Sequence, residues 1–167
     1  MMENYQVRFL GGKGAAMPPT YPIIIKYMIY VDDFIRRIEK MISTDQISAI
    51  IKNNSKFEYK NIPFANNIPQ GISDLYCKLN SLQIIYPRQF ELLPIEQFRL
   101  IKDKYLYFAT INHIEKIGFN ILQTNVAGEW DIVNTNNDFR ITYTLGSFLT
   151  TKIWRWINWG KEIWQEE

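Results

Sequence analysis

Only one cysteine and one histidine occur in this 167-residue chain, and their scarcity removes several kinds of chemistry at the outset. Cys77 has no second thiol, so no internal disulfide is available and nothing points to an oxidising compartment. A structural zinc site usually draws its four ligands largely from Cys and His, so none is expected. A histidine-dependent triad would have to run through His113, and no Gly-x-Ser-x-Gly elbow accompanies it. His113 reads instead as a polar loop residue after "YLYFATIN". Cys77 lies off the apolar stripe of its helix and reads as an inert, partly buried thiol. No cofactor and no metal are expected.

An excess of charge of one sign is also missing. Lys plus Arg number 19 and Asp plus Glu 17, for a net charge of +2. The tightest basic pair, Arg36-Arg37, is flanked by Asp33 and Glu39. Nucleic-acid binders concentrate basic residues on one face, so no nucleic-acid partner is expected. Long apolar runs are absent too. The most apolar stretch, "YPIIIKYMIYV", is interrupted by Lys26 and falls short of the ~20 residues of a membrane-spanning helix. The start, "MMENYQVRFLGGKGAAMPP", lacks the basic-then-apolar layout of a secretory signal. The expectation is a soluble cytoplasmic protein without a membrane partner. "GGKG" at 11–14 has neither the following Ser/Thr nor the upstream Gly of a phosphate loop, and reads as a flexible turn.

What the chain does have is apolar and aromatic mass: 47% and 15% of residues, enough for one domain to bury a core without staples. "YQVRFL" could be a short strand. "IIIKYMIYV" favours a strand by propensity, while Pro22 suits the first turn of a helix. "DDFIRRIEKMI" predicts a helix capped by Asp32, with Phe34, Ile35, Ile38, Met41 and Ile42 on one stripe. "STDQISAIIKN" predicts another, with Ser43 and Gln46 at capping-box spacing and Ile47, Ile50 and Ile51 on one face. "KFEYKNIPFANN" reads as a loop or short strand. "IPQGISDLYCKLNSL" predicts a helix that buries Ile72, Leu75, Tyr76, Leu79 and Leu82.

After Leu82 the period changes to two. "LQIIY", "QFELLPI", "KYLYFATI", "IGFNILQ", "EWDIVN" and "FRITYTL" are about six candidate strands, the last with Phe139, Ile141, Tyr143 and Leu145 inward. "TNVAG" and "NTNND" are hairpin connections. The fold class expected is α+β: a single domain with a mainly antiparallel twisted sheet, N-terminal helices and a closing C-terminal helix. The organisation expected is an N-terminal extension over residues 1–30 and the domain over residues 31–167.

Four of the five tryptophans fall within eleven positions of "TKIWRWINWGKEIW". A closing helix capped by Ser147 and ended by Gly160 would carry them. At 100° per residue, Leu149, Ile153, Trp156 and Ile157 share the core face. Phe148 and Trp159 lie at its margin, and Trp164 folds back over the sheet. Trp154 points away, so it is the tryptophan left for a protein interface. Of the carboxylates, Glu91 with Glu96 and Glu129 with Asp131 are the pairs a hydrolase would use, and both read as solvated surface charge.

Taken in order, the second half of the chain resembles the SUKH superfamily. "IPQGISDLYCKLNSLQI" is similar to its Leu/Ile-Pro helix and following turn, with Asn80-Ser81 where the family has Asn-Gly. "FELLPIEQF" resembles its "LxPIEEI" stretch. "YLYFATI" with "GFNILQT" and "GEWDIVN" resemble its paired strands, and "SFLTTKIWRWI" its closing helix. The resemblance covers roughly Ile68 to Ile157. It implies a non-enzymatic, cytoplasmic binding module: an immunity protein that occludes a cognate polymorphic toxin. Many members that block nuclease toxins are acidic, whereas this chain is not. The partner-binding residues proposed on this reading are Glu129, Asp131, Asp138 and Trp154. The alternatives are an accessory subunit of a larger assembly and a small carboxylate-using hydrolase.

Overall fold

Residues 20–54 and 67–166 are described from a computed structural model of the chain, with only the backbone for residues 20–28. "YQVRFL", "GGKG" and nearly all of "KFEYKNIPFANN" lie outside the described residues.

The first element among the described residues is a single long helix, α1 (Thr20–Ser43). It includes "IIIKYMIYV", with Pro22 in the first turn, where its missing N–H costs nothing. Asp32 therefore sits in mid-helix rather than at a cap. Its carboxylate pairs with Lys78 and ties α1 to the next helix. The boundary expected at residues 30/31 falls inside α1 and marks no break between elements. Val31, Phe34 and Ile38 are buried at helical spacing, with Met41 and Ile42 packed against the same core. The Ser43 and Thr44 hydroxyls both donate to the Lys40 carbonyl, and Asp45 turns the chain at a φ of 54°.

"STDQISAIIKN" is not a helix. It forms β1 (Ser48–Asn53), in which Ala49 and Ile51 face the core while Ile50 is exposed. Ile47, Ile50 and Ile51 fit a helical face on paper. The left-handed Asp45 and the β-branched residues after it favour period two instead.

The helix expected from "IPQGISDLYCKLNSL" is shorter than its stripe. α2 (Gln70–Lys78) buries Ile72, Leu75 and Tyr76. Leu79 already has extended backbone angles and opens β2 (Leu79–Tyr86). Leu79 and Leu82 are thus core residues of a strand.

The remaining strands are β3 (Phe90–Leu92), β4 (Arg99–Ile101), β5 (Tyr105–Ile111), β6 (Glu115–Asn120), β7 (Ile132–Asn134) and β8 (Arg140–Thr142). Among the described residues they form one eight-stranded sheet in the order β1-β2-β3-β5-β6-β7-β8, with β4 pairing β5. Every pairing is antiparallel. The fold is α+β, as expected, with more strands than the sequence suggests because β1 and β4 carry weak signals. The "TNVAG" and "NTNND" segments do connect antiparallel neighbours. Residues 112–114 connect the paired Ile111 of β5 and Glu115 of β6, and Asn112 and His113 both turn the chain with positive φ. His113 is the loop residue it was expected to be.

The register sorts the two faces of the sheet. Leu82, Leu92, Ala109 and Ile117 lie side by side on the inner face, as do Ile84, Phe90 and Ile111. Gln83, Glu91, Thr110 and Lys116 form a polar row on the outer face. A bulge at Tyr107–Ala109 lets both Phe108 and Ala109 be fully buried. Phe108 stacks on Phe119 at 3.8 Å between ring centroids, and Phe148 of the closing helix meets Phe108 edge-on at 5.9 Å. Full burial of such a ring is worth about 1.5–3 kcal/mol.

In β8 the expected alternation breaks. Tyr143 is 53% exposed while Thr142 is buried. The pairing with β7 shifts by one residue between Ile132 and Val133, which reverses the side on which Thr142 and Tyr143 emerge.

The closing helix runs over residues 145–159 and is not uniform. It opens as a turn of α-helix (Leu145–Ser147), widens into a π-turn (Phe148–Lys152), and returns to α-helix (Ile153–Trp159). Its cap is Thr144, not Ser147: the Thr144 side chain accepts the Ser147 N–H at 3.1 Å. Gly160 ends it at a φ of 67°, donating its N–H to the Trp156 carbonyl at 2.8 Å.

Candidate partner-binding face

The π-turn decides which tryptophans are available to a partner. The Ile153 N–H bonds back to the Phe148 carbonyl, five residues earlier rather than four. One extra residue in that turn delays everything after it by about one position on the helix wheel. Leu145, Phe148 and Leu149 face the core, and a regular helix would continue the stripe through 152, 153 and 156. Instead the fully buried positions are Ile153 and Ile157, with Trp154 beside them.

Trp154 is therefore buried, at 3% exposure, and cannot present its ring to a partner. Its indole N–H donates to the Leu149 carbonyl at 2.8 Å, and its ring lies 6.0 Å from Phe34 of α1. The same delay lifts Trp156 partly off the core. Trp156 packs edge-on against Trp164 at 4.9 Å, with its N–H on the Gln89 carbonyl. Trp164 is buried, folded back as expected. Trp159 lands outside, at 68% exposure, and corrects the expectation that it belongs to the core margin.

Of the acidic residues singled out from sequence, Glu129 is the furthest from expectation. It is 4% exposed, and its carboxylate accepts the Leu145 N–H at 2.7 Å. That amide is one of those a helix start leaves without a partner, and the negative charge is favoured there. Glu129 is a helix anchor, not a surface charge. Asp131 is half-buried, accepting from Asn125 at 2.8 Å with Arg140 at 3.6 Å. Asp138 is exposed, but Lys102 at 2.6 Å and Lys104 at 3.2 Å already face it. Hydrogen bonding to those two lysines holds its carboxyl below the usual range. The three carboxylates do not make one acidic face.

Nor do the carboxylate pairs converge as a hydrolase would want. Glu91 lines a cavity of about 150 Å³ with Gln83, Thr110 and His113 among its lining residues. Glu96 is exposed on the 3-10 turn Ile95–Gln97, where its charge adds to burial in raising the Tyr76 phenol well above its ordinary pKa. Glu129 and Asp131 keep the separate structural partners given above. Among the described residues no group of three or more His, Cys, Asp or Glu is placed to hold a metal ion, and no helix is long and apolar enough to cross a membrane.

A groove of about 440 Å³ lies at the end of the closing helix, lined by Arg37, Lys40, Met41, Gln46, Asn158 and Trp159. Trp159 is the last helical residue before the Gly160 cap, so its position is fixed by the backbone turn beneath it. Arg37 and Lys40 are one turn apart on α1 and line the same wall. The Arg37 guanidinium lies 4.1 Å from the Trp154 ring centroid, and partial burial pulls its pKa below the ordinary value. Sequence reasoning missed this groove because the register that exposes Trp159 depends on the π-turn. The one legible hint was the pairing of Arg37 with Lys40 and Met41 at helical spacing.

No known family model, curated protein or solved structure matches the chain.

Proposed function

We propose that this protein is a binding module rather than an enzyme, and within that class a cytoplasmic immunity protein that occludes a cognate toxin. The observation that carries the binding reading is Trp159, a large aromatic side chain 68% exposed on a capped helix end beside Arg37. Tryptophan and arginine are the residue types most enriched at interface hot spots, and a preformed anchor loses little freedom on binding. The step from binding module to immunity protein rests on the SUKH resemblance of residues 68–157 and on the α+β fold. Under this reading the mechanism is stoichiometric: the groove and its surroundings cover the toxin's active site or substrate path.

The test is co-expression with the toxin-like domain encoded by the adjacent gene, scored for growth and for co-purification. Rescue of growth with a stable complex is the expected result. Killing that persists despite abundant folded protein would overturn the immunity reading.

A further inference from the structure

We infer that the groove at the end of the closing helix is a receptor for an acidic protein segment that inserts an apolar or aromatic side chain against Trp159. This deepens the proposed function, since it rests on the binding reading and names the chemistry of the partner.

The argument is one of charge. Five surface cations already have carboxylates among the described residues: Arg36 with Asp33, Lys78 with Asp32, Lys102 and Lys104 with Asp138, and Arg140 with Asp131. Arg37 and Lys40 have no ion-pair partner among the described residues. They also share one groove wall. Arg37 is further held in place by its contact with the Trp154 ring, which leaves its guanidinium less free to wander. Two uncompensated cations, one of them partly desolvated, gain most from an anion brought in by a partner.

The rest of the lining selects a protein segment over other anions. Met41 and Trp159 supply apolar contact, and Met41 adapts to the shape of an incoming side chain. Gln46 and Asn158 offer amide groups that match a peptide backbone, with both donors and acceptors. A phosphate would use the cations and leave the apolar wall wet. A single-stranded nucleic acid would want a longer basic track with further stacking platforms than this one groove offers.

The probe is a glutamate-rich copolymer of L-glutamate and L-tyrosine, added to the full chain while the indole N–H NMR signal of Trp159 is followed. That signal is assigned by its loss in Trp159→Phe. The expected result is a selective shift of the Trp159 signal. Affinity should fall by at least about threefold between about 50 and 200 mM salt, and by about tenfold or more in Trp159→Ala and in Lys40→Glu. Both positions are solvent-facing, so both variants are expected to fold, which the dispersion of the remaining spectrum verifies. Equal or tighter binding of a lysine–tyrosine copolymer, of oligothymidylate or of inorganic phosphate at this signal would overturn the inference. So would shifts confined to other residues, or no shift at all. The two proposals fail separately. Copolymer binding without toxin rescue leaves the receptor and removes the immunity role; rescue without copolymer binding does the reverse.

Discussion

The guanidinium of Arg37 and the ring of Trp154, 4.1 Å apart, join α1 to the closing helix. Phe34 lies 6.0 Å from the same ring, and the indole N–H is taken up by the Leu149 carbonyl. Replacing Trp154 by Ala is expected to cost about 3–5 kcal/mol, the range for deleting a buried ring. Arg37→Ala should cost about 0.5–1 kcal/mol through the lost contact with the ring. Trp159→Ala, on an exposed ring, should stay within about 0.5 kcal/mol of the native chain. Urea denaturation of the three variants checks the order. A Trp159 variant as damaged as the Trp154 variant would contradict the assignment of the two rings.

The π-turn makes an unusual claim about deletions. Removing the exposed Thr151 takes out the extra residue and lets a regular α-helix deliver Ile153, Trp154 and Ile157 to the same core positions. The shortened chain is expected to fold and to melt close to the native temperature. Deleting Arg155, inside the regular segment, throws Ile157 off the core and should cost several kcal/mol, on the scale of lost core side chains. Thermal melts of the two deletions, followed by circular dichroism, separate the outcomes.

Glu129 is predicted to matter for stability and not for charge-dependent binding. Glu129→Ala leaves the Leu145 N–H buried without an acceptor and should destabilise by about 1–3 kcal/mol. Glu129→Gln keeps an acceptor but loses the favourable charge at the helix start, and should cost about 0.3–2 kcal/mol. Chemical denaturation gives both values. A neutral Glu129→Ala would mean that the Leu145 amide finds another acceptor.

Tyr76 supplies a pH-dependent test. Its hydroxyl donates to the Leu93 carbonyl at 2.9 Å, and burial, aided by Glu96, raises its pKa in the folded chain. The folded state therefore keeps the proton that the unfolded state loses above about pH 10. The stability tied to this group is intact below that pH and declines as pH rises toward the folded-state pKa. Tyr76→Phe should cost about 1–3 kcal/mol at neutral pH, by leaving the Leu93 carbonyl short of a donor. It should also fall less steeply than the native chain in alkali. Parallel alkaline slopes for the two proteins would count against a raised Tyr76.

Local pattern was a good guide where a segment's period and its neighbours agreed. The stripe Phe34, Ile38, Met41 gave α1, and the alternation of "KYLYFATI" gave β5 at the centre of the sheet. It misled where two periods fit equally well. Ile47, Ile50 and Ile51 suit a helical face, and Ile47, Ala49 and Ile51 suit a strand; pairing with β2 chose the second. Leu79 and Leu82 continue the stripe of α2, yet the chain extends at Leu79 because an antiparallel partner accepts those side chains.

By itself the sequence determined the class of the protein: an α+β domain, helices first and hairpin-joined strands after. Hydrophobic periodicity and turn residues act over a few positions and need no distant partner. It also determined the poverty of histidine and cysteine that limits the chemistry available. Only the tertiary structure decided which tryptophan is buried and which is exposed, and that Glu129 anchors a helix instead of facing solvent. The physical reason is that a one-residue π-turn conserves composition and local propensity while rotating every later side chain by about 100°. Packing against Phe34, Phe90 and Phe108 selects that rotation, and those contacts join parts of the chain that no short window of sequence contains.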